Sequence, residues 1–280
     1  MLSVHGQRGD GFHSLTSVVA PLKFGDTLWV ELSDENDFLE CSDAAVPVGE
    51  GNLVMQAAAT FRLHFGKAVF FKFRLEKRIP MGAGLGGGSS NAAVALLAMN
   101  RLCGEFFSRD QLRVIAAELG SDCALFIDRV ASLVRGRGEM VEPMSIDWQR
   151  RLEGQPLVLF RPNFPIETKW AYGRLIQANG AYYEAETRAN VRLAEAKKLN
   201  ELLFNSFEAA VGSKYVTVPV LLMQLRAEGF DVLMSGSGSC CFGFLPNDEA
   251  ARLQMQEIVR DAWGMAVFWI ETYIHQPETE

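Results

Sequence analysis

Five glycines fall within seven positions, from Gly82 to Gly88, and two serines follow at once. The whole stretch reads Pro80-Met81-Gly82-Ala83-Gly84-Leu85-Gly86-Gly87-Gly88-Ser89-Ser90-Asn91-Ala92-Ala93, and the residues from about Ser89 to Cys103 are those of a helix. Glycines leave their backbone N–H groups bare, and a helix N-terminus carries about half a positive charge. Together they make a site for phosphate. Ser89 and Ser90 can cap the helix, bind a phosphate oxygen or help hold Mg2+. A flexible loop with an ordinary cap explains one or two glycines, but hardly five ahead of Ser-Ser.

Several kinds of phosphate loop compete for this stretch. Gly82, Gly84 and Gly87 satisfy G-x-G-x-x-G, and the loop follows a strand and opens a helix. A dinucleotide-binding fold also wants a buried parallel strand ahead of the loop, and an acidic residue about 20 positions on at a strand end. Here Lys72, Arg74, Glu76 and Arg78 make the preceding strand amphipathic, and Asp110 falls in the first turn of a helix. The dinucleotide reading therefore stands second. A Walker A loop fails because no Lys follows the glycines, and a protein kinase fails because HRD and DFG are absent.

The elements around the loop read as α+β, with strands and helices in clusters rather than in strict βαβ alternation. Residues 14–23 and 27–33 are rich in Val, Leu, Thr and Trp, with a turn at Gly25-Asp26. Residues 52–65 have helical spacing in Leu53, Ala57, Phe61 and His64. Residues 69–76 alternate Phe71, Phe73 and Leu75 with Lys72, Arg74 and Glu76, as a half-buried strand does. A further helix starts at Ser108, which has capping-box spacing to Gln111. Leu112, Ile115, Ala116 and Leu119 form its stripe, and Gly120 stands where a C-terminal cap belongs. Short strands are expected at 131–136 and 157–161. Arg161-Pro162-Asn163-Phe164-Pro165 marks the expected boundary between domains of residues 1–160 and 161–280. Helical patterns then run to about 211 and over 218–228, followed by a strand–glycine loop–strand over 231–245, a helix over 248–262 and a strand over 266–273.

Composition narrows the class. Of 280 residues, 49% are hydrophobic and 22% charged, which is globular. The net charge of −7 disfavours general nucleic-acid binding but leaves room for a local basic pocket for one small anion. Cys41, Cys103, Cys123, Cys240 and Cys241 contain no CxxC and read as thiols of a reducing cytoplasm. His5, His13, His64 and His275 are not at metal-ligand spacing, so no metal site built from protein ligands is expected. No apolar run approaches the about 20 residues of a membrane span, and the N-terminus has no signal-like hydrophobic region. The expectation is a cytoplasmic protein with a small-molecule substrate, without nucleic-acid or membrane partners, as a monomer or weak homodimer.

The glycine loop resembles the second motif of the GHMP superfamily of small-molecule kinases, which includes the mevalonate and homoserine kinases. Gly6-Gln7-Arg8-Gly9-Asp10-Gly11-Phe12-His13 resembles the G-x-R-x-D-G-Y-H segment of the 4-diphosphocytidyl-2-C-methyl-D-erythritol kinase family. Gly120-Ser121-Asp122 resembles its G-[AS]-D segment, Arg135-Gly136-Arg137-Gly138-Glu139 follows in order, and Ser235-Gly236-Ser237-Gly238-Ser239 resembles the superfamily's third motif. The resemblance runs from residue 4 to about 245. It implies a two-lobed α+β GHMP-kinase-like fold, with an N-terminal lobe like domain 2 of ribosomal protein S5 and a ferredoxin-like C-terminal lobe. It also implies ATP with Mg2+ as phosphoryl donor and a hydroxyl of the methylerythritol moiety as acceptor.

On that resemblance, Pro80 to Ser90 wrap the triphosphate, and Asn52 and Leu53 border the adenine. Lys77 lies near the nucleotide, although a solvated strand lysine reads equally well. Asp122 takes the proton of the attacking hydroxyl or orients it; locally, Ser-Asp after Gly120 is equally good turn chemistry. His13 hydrogen-bonds the cytosine, while Phe12, where the family usually has Tyr, and Thr168 with Tyr172 supply the walls of its slot. Without the resemblance, His13 is a histidine after a turn, Tyr172 an amphipathic-helix residue and Ser235–Ser239 a hairpin turn.

One departure stands out. Family members carry P-x-K-[IL]-N-L just upstream of G-x-R, and the Lys stabilises charge at the transferring phosphoryl group. This chain begins Met1-Leu2-Ser3-Val4 inside that strand, so the Lys position falls before Met1. A start assigned too late, a truncated chain and lost activity compete to explain this, and the intact motifs downstream favour a clipped start. Losing such a clamp weakens transition-state stabilisation, so slowed turnover is the expectation for the chain as it stands. The alternatives are a mevalonate- or homoserine-type kinase, which Asp10-Gly11-Phe12-His13 disfavours, or a catalytically impaired nucleotide-binding relative.

Overall fold

The structure is a computed structural model and describes residues 1–275. The chain opens with strands β1 (Leu2–Gln7), β2 (His13–Val19), β3 (Thr27–Ser33) and β4 (Phe38–Cys41), then helix α1 (Leu53–Phe65) and strand β5 (Phe70–Glu76). Helices α2 (Gly87–Leu102), α3 (Arg109–Leu119) and α4 (Leu125–Asp128) follow. Then come β6 (Ser132–Gly136), β7 (Met140–Pro143), α5 (Ile146–Leu152), β8 (Pro156–Arg161), α6 (Thr168–Gln177) and α7 (Glu186–Glu195). The chain closes with α8 (Ser206–Gly212), α9 (Thr217–Ala227), β9 (Val232–Met234), β10 (Cys241–Phe244), α10 (Glu249–Trp263) and β11 (Phe268–Tyr273).

These elements gather into two compact units. One holds Met1–Lys23, Gly82–Leu85 and the residues from Ala131 onward; the other holds Phe24–Met81 and Gly86–Val130. The division therefore does not fall at residue 160. That position lies inside β8, which pairs with both β10 and β11 and so belongs with the residues that follow it.

The smaller unit is a three-stranded sheet, β3-β5-β4, with helices on one face. β3 runs antiparallel to β5 and β4 parallel to it. Alternation in β5 sends Phe71, Phe73 and Leu75 into a core with Ala57, Phe61, Leu96 and Met99, while Lys72, Arg74 and Glu76 stay exposed. Phe61 is fully buried and meets Phe71 and Phe107 edge-on, with centroids 5.9 and 5.4 Å away. Asn52 caps α1, its Oδ1 accepting from Val54 N at 2.9 Å. The Ser108–Gln111 capping box forms as expected. Gly120 ends α3 in extended backbone, φ 169°, so it serves no left-handed cap.

The larger unit contains two antiparallel sheets, β1-β2-β6-β7 and β11-β8-β10-β9. The second is covered by helices whose Leu175, Phe207, Leu222, Leu225 and Val259 pack with Val158 and Phe160. β1 escapes a reading by alternation because its pairing with β2 shifts register between Val4 and Gly6.

One buried carboxylate sets the geometry of the smaller unit. Asp26 accepts hydrogen bonds from Lys77 Nζ, Arg78 N and Ile79 N, each at 2.7 Å, and from Asn91 Nδ2 at 2.9 Å. Its side chain has no exposure, and that of Lys77 only 8%. The residues that follow β5 are thereby tied to the first turns of α2. Burial pushes the Asp26 carboxyl up, but the donors from Lys77, Ile79, Arg78 and Asn91 outweigh it and hold the group below its ordinary range.

Two outcomes follow from this packing. Phe61→Ala lowers the unfolding free energy measured in urea by about 3–5 kcal/mol, through the cavity it leaves. Asp26→Asn strands the Lys77 ammonium without its countercharge, a loss of about 3–5 kcal/mol at neutral pH. Because folding depresses the Asp26 pKa, its contribution is complete above the unfolded value, about 4, and disappears as pH falls through the lower folded value. The stability gap between wild type and Asp26→Asn therefore narrows in acid, and a gap constant down to pH 2 contradicts the assignment.

Candidate active site

The glycine loop turns on two positions, Gly84 and Gly86, that no other residue fits. Gly84 has φ 72°, and a Cβ there overlaps the carbonyl oxygen of Ser235. Gly86 has φ 67°, is the N-cap of α2, and has the Phe126 ring where a Cβ would sit, 2.8 Å from Cζ. The helix thus begins at Gly87, two residues ahead of expectation, and neither Ser89 nor Ser90 is its cap. Ser89 lies in the first turn, where the backbone N–H has no intrahelical acceptor, whereas Ser90 N already donates to Gly86 O at 2.8 Å.

The loop changes unit between Leu85 and Gly86. On the larger unit, Ser235 Oγ donates to Gly84 O at 2.9 Å and Cys240 N to Ala83 O at 3.1 Å. The stretch Ser235–Ser239 is thus more than a hairpin turn, since the Ser235 hydroxyl and the N–H of the next residue after it, Cys240, brace residues 84 and 83. Gly82, also on this unit, lies against Pro165. On the smaller unit Pro80 and the exposed Met81 lead in, and Leu53 Cδ1 reaches Gly88. Asn52 is occupied as the α1 cap and donates to Pro47 O at 2.6 Å. Lys77 is no solvated strand lysine. Its ammonium is engaged by Asp26 and the Ile79 carbonyl, and lies 3.3 Å from where a Cβ on Gly87 would be.

Asp122 lies in the turn between α3 and α4 on the same unit as α2. Two contacts hold that turn against the helix start: Phe126 on Gly86, and Ser89 against the thiol of Cys123. Asp122 is exposed, yet enough protein surrounds its carboxyl that desolvation pushes its pKa up. Such a carboxylate is a stronger base than an ordinary aspartate. Among the described residues, no three His, Cys, Asp or Glu side chains gather to hold a metal ion.

On the larger unit His13, Tyr172 and Tyr183 converge. His13 is buried, with its ring centroid 4.9 Å from that of Tyr172 and 5.8 Å from that of Tyr183. Tyr172 in turn meets Phe207 edge-on. Burial pushes the His13 imidazole down, which favours its neutral form. Thr168 shares a hydrogen bond of 3.0 Å with Ser237 Oγ, tying it to the third glycine loop. Phe12 stands apart at the tip of the β1–β2 hairpin, 51% exposed, with the Arg137 guanidinium 4.9 Å over its ring.

Sequence reasoning missed three residues that shape these sites. Asp26 reads only as a turn residue, although it organises the smaller unit. Asn205 donates to Met234 O at 2.7 Å and Gly236 O at 2.9 Å while capping α8, so it fixes the third loop. Its one signal is Asn-Ser ahead of a helical run. Tyr183 has no signal, because it lies in the connector between α6 and α7.

Residues 52–136 match the N-terminal domain of the GHMP kinases and residues 186–263 match the GHMP C-terminal domain. The chain is 34% identical over 252 residues to the 4-diphosphocytidyl-2-C-methyl-D-erythritol kinase of Methylacidiphilum infernorum, covering 89% of this chain and 83% of that one. A crystal structure of 4-(cytidine 5'-diphospho)-2C-methyl-D-erythritol kinase superposes with TM-score 0.73 at 30% identity, over 97% of this chain and 95% of that one. Methanococcus jannaschii mevalonate kinase superposes as well, with TM-score 0.74 over 98% and 96% of the two chains, but at 10% identity that likeness shows the fold alone. The α+β fold is that of the GHMP kinases, and over nearly its whole length the chain belongs to their 4-diphosphocytidyl-2-C-methyl-D-erythritol kinase family.

Proposed function

We propose that the protein transfers the γ-phosphoryl group of ATP to the 2-hydroxyl of 4-diphosphocytidyl-2-C-methyl-D-erythritol, a step of non-mevalonate isoprenoid synthesis. The observation that carries this reading beyond a generic GHMP kinase is the buried His13 set against Tyr172. An imidazole beside an aromatic face suits a flat heterocycle, which mevalonate and homoserine lack. The relatives' names point the same way.

The glycine cradle fits a triphosphate. The positive end of α2 carries bare N–H groups, and neither its N-cap Gly86 nor Gly84 has room for a side chain. In this reading Pro80 to Ser90 hold the phosphates, and Asn52 with Leu53 borders the adenine. Lys77 acts from beneath the loop, through the backbone that it and Asp26 support. Mg2+ would be held chiefly by phosphate oxygens, with Ser89 or Ser90 as protein ligand, and would supply charge neutralisation at the phosphates.

Asp122 takes the proton of the acceptor hydroxyl as its oxygen bonds to the γ-phosphorus, and the bond from phosphorus to the β,γ-bridging oxygen breaks to release ADP. Phosphoryl transfer asks a protein for alignment and charge stabilisation more than for covalent chemistry. His13 and Tyr172, with Thr168, hold the cytosine end, and Phe12 offers an outer wall from its exposed hairpin tip. We place the protein in the cytoplasm, a reading supported by its five free cysteines, and expect a monomer or weak homodimer.

ADP release from ATP-Mg2+ tests the assignment, with the cytidyl substrate, mevalonate and homoserine as acceptors. Turnover with the cytidyl substrate alone is expected; turnover with either of the others overturns it. Asp122→Asn lowers kcat by about 100- to 10,000-fold and leaves nucleotide affinity unchanged. Retained turnover removes Asp122 from the reaction. Since burial raises the Asp122 pKa, kcat declines on acidification at a higher pH than an ordinary aspartate gives, and a profile flat down to pH 4 contradicts its role as base.

A further inference from the structure

The hydroxyl of Tyr183 lies 3.1 Å from His13 Nε2, and among the described residues His13 Nδ1 has no protein partner. A neutral imidazole has one N–H donor and one acceptor nitrogen, and the hydrogen bond at one nitrogen decides the tautomer. A phenol is a stronger acid than an imidazole N–H, and an imidazole nitrogen a better acceptor than a phenol oxygen. The favoured arrangement therefore has Tyr183 donating to Nε2, which leaves the proton on Nδ1.

Tyr183 is held firmly enough to impose this. The next residue, Glu184, is buried and donates its N–H to Val4 O at 2.9 Å. His5 Nδ1 lies 2.8 Å from the Glu184 carbonyl oxygen. The Glu184 carboxylate accepts two bonds of 2.8 Å from Arg192 and another from Ser3. The Tyr183 ring rests over Gly180, 3.4 Å from where a Cβ would be. A connector with no regular structure is thereby fastened to β1 at the position that presents the phenol.

We propose that Tyr183 is a specificity-determining positioning residue. By donating to His13 Nε2 it keeps Nδ1–H a donor, so the pocket accepts a pyrimidine whose N3 is an acceptor and rejects one whose N3 carries hydrogen. The inference rests on the assigned cytidyl substrate. Cytosine offers N3 as an acceptor; uracil presents an N–H there and leaves two donors opposed.

The test compares kcat/KM for the cytidyl substrate and its uridyl counterpart in wild type and Tyr183→Phe, which keeps the ring and removes only the hydroxyl. Wild type is expected to prefer cytidine, and Tyr183→Phe to reduce that preference by about tenfold, chiefly through KM, as expected for the loss of one discriminating hydrogen bond. Nitrogen-15 shifts of the His13 ring, assigned with His13→Gln, should show Nδ1–H in wild type and a move toward the other tautomer in Tyr183→Phe. An Nε2–H tautomer in wild type overturns the inference without recourse to any variant. Equal loss on both substrates also overturns it, since that is what a merely structural role gives. Cytidine-selective turnover that Tyr183→Phe leaves unchanged defeats this inference alone. Turnover of neither substrate by wild type defeats the assigned reaction and this inference with it.

Discussion

The buried pair of Asp26 and Lys77 is the interaction on which the smaller unit's side of the glycine loop depends. Four donors converge on one carboxylate, two of them backbone N–H groups just ahead of the glycine loop and one the side chain of Asn91 in α2. A loop rich in glycine has high conformational entropy, and glycine loses more of it on folding than any other residue. Something must hold both of its ends if its N–H groups are to be arranged before a ligand arrives. Asp26 does this on the smaller unit, at the cost of a desolvated ion pair that would be a poor device for stability alone.

The glycines impose a second constraint. Gly84 and Gly86 adopt left-handed backbone and also stand where a Cβ would strike Ser235 O or the Phe126 ring. Each is therefore doubly specified, by conformation and by space. The contact at Gly86 matters for chemistry as well as packing. Phe126 belongs to the helix that follows Asp122, so the group proposed as base is held against the helix that would receive the phosphates. Ser89 against Cys123 repeats that link one turn further along α2.

These constraints explain what could be read in advance. Periodicity found α1, α3 and β5 closely because each buries one face against a single core, so burial and spacing coincide. It missed β1, whose alternation is broken by a register shift, and β4 and β7, which have four residues each. The glycine loop was legible because positive φ and close backbone approach admit almost no other residue. Gly120 shows the limit of that rule, since its extended backbone would suit any residue. Asp26, Tyr183 and Asn205 were illegible for a common reason. Each acts through partners remote in sequence, from Asp26 to Lys77 and from Tyr183 to His13, and local composition does not encode such a distance.

The proposed acceptor end, around His13, is where selectivity would reside in a fold shared by several chemistries. A glycine loop and a helix N-terminus would recognise phosphate through backbone, which carries no information about the acceptor. Discrimination among acceptors must come from side chains with a definite donor or acceptor pattern, and these are buried where an unmatched partner leaves polar groups unpaired. His13 meets that condition only if its proton is assigned. A neutral imidazole free to exchange tautomers would satisfy cytosine and uracil alike, and burial, which keeps the ring neutral, makes this ambiguity worse. A phenol fixed by a buried Glu184 network resolves it without adding charge to the pocket. The ion pair of Glu184 with Arg192 thus bears on the proposed recognition through one hydrogen bond, that between Tyr183 and His13.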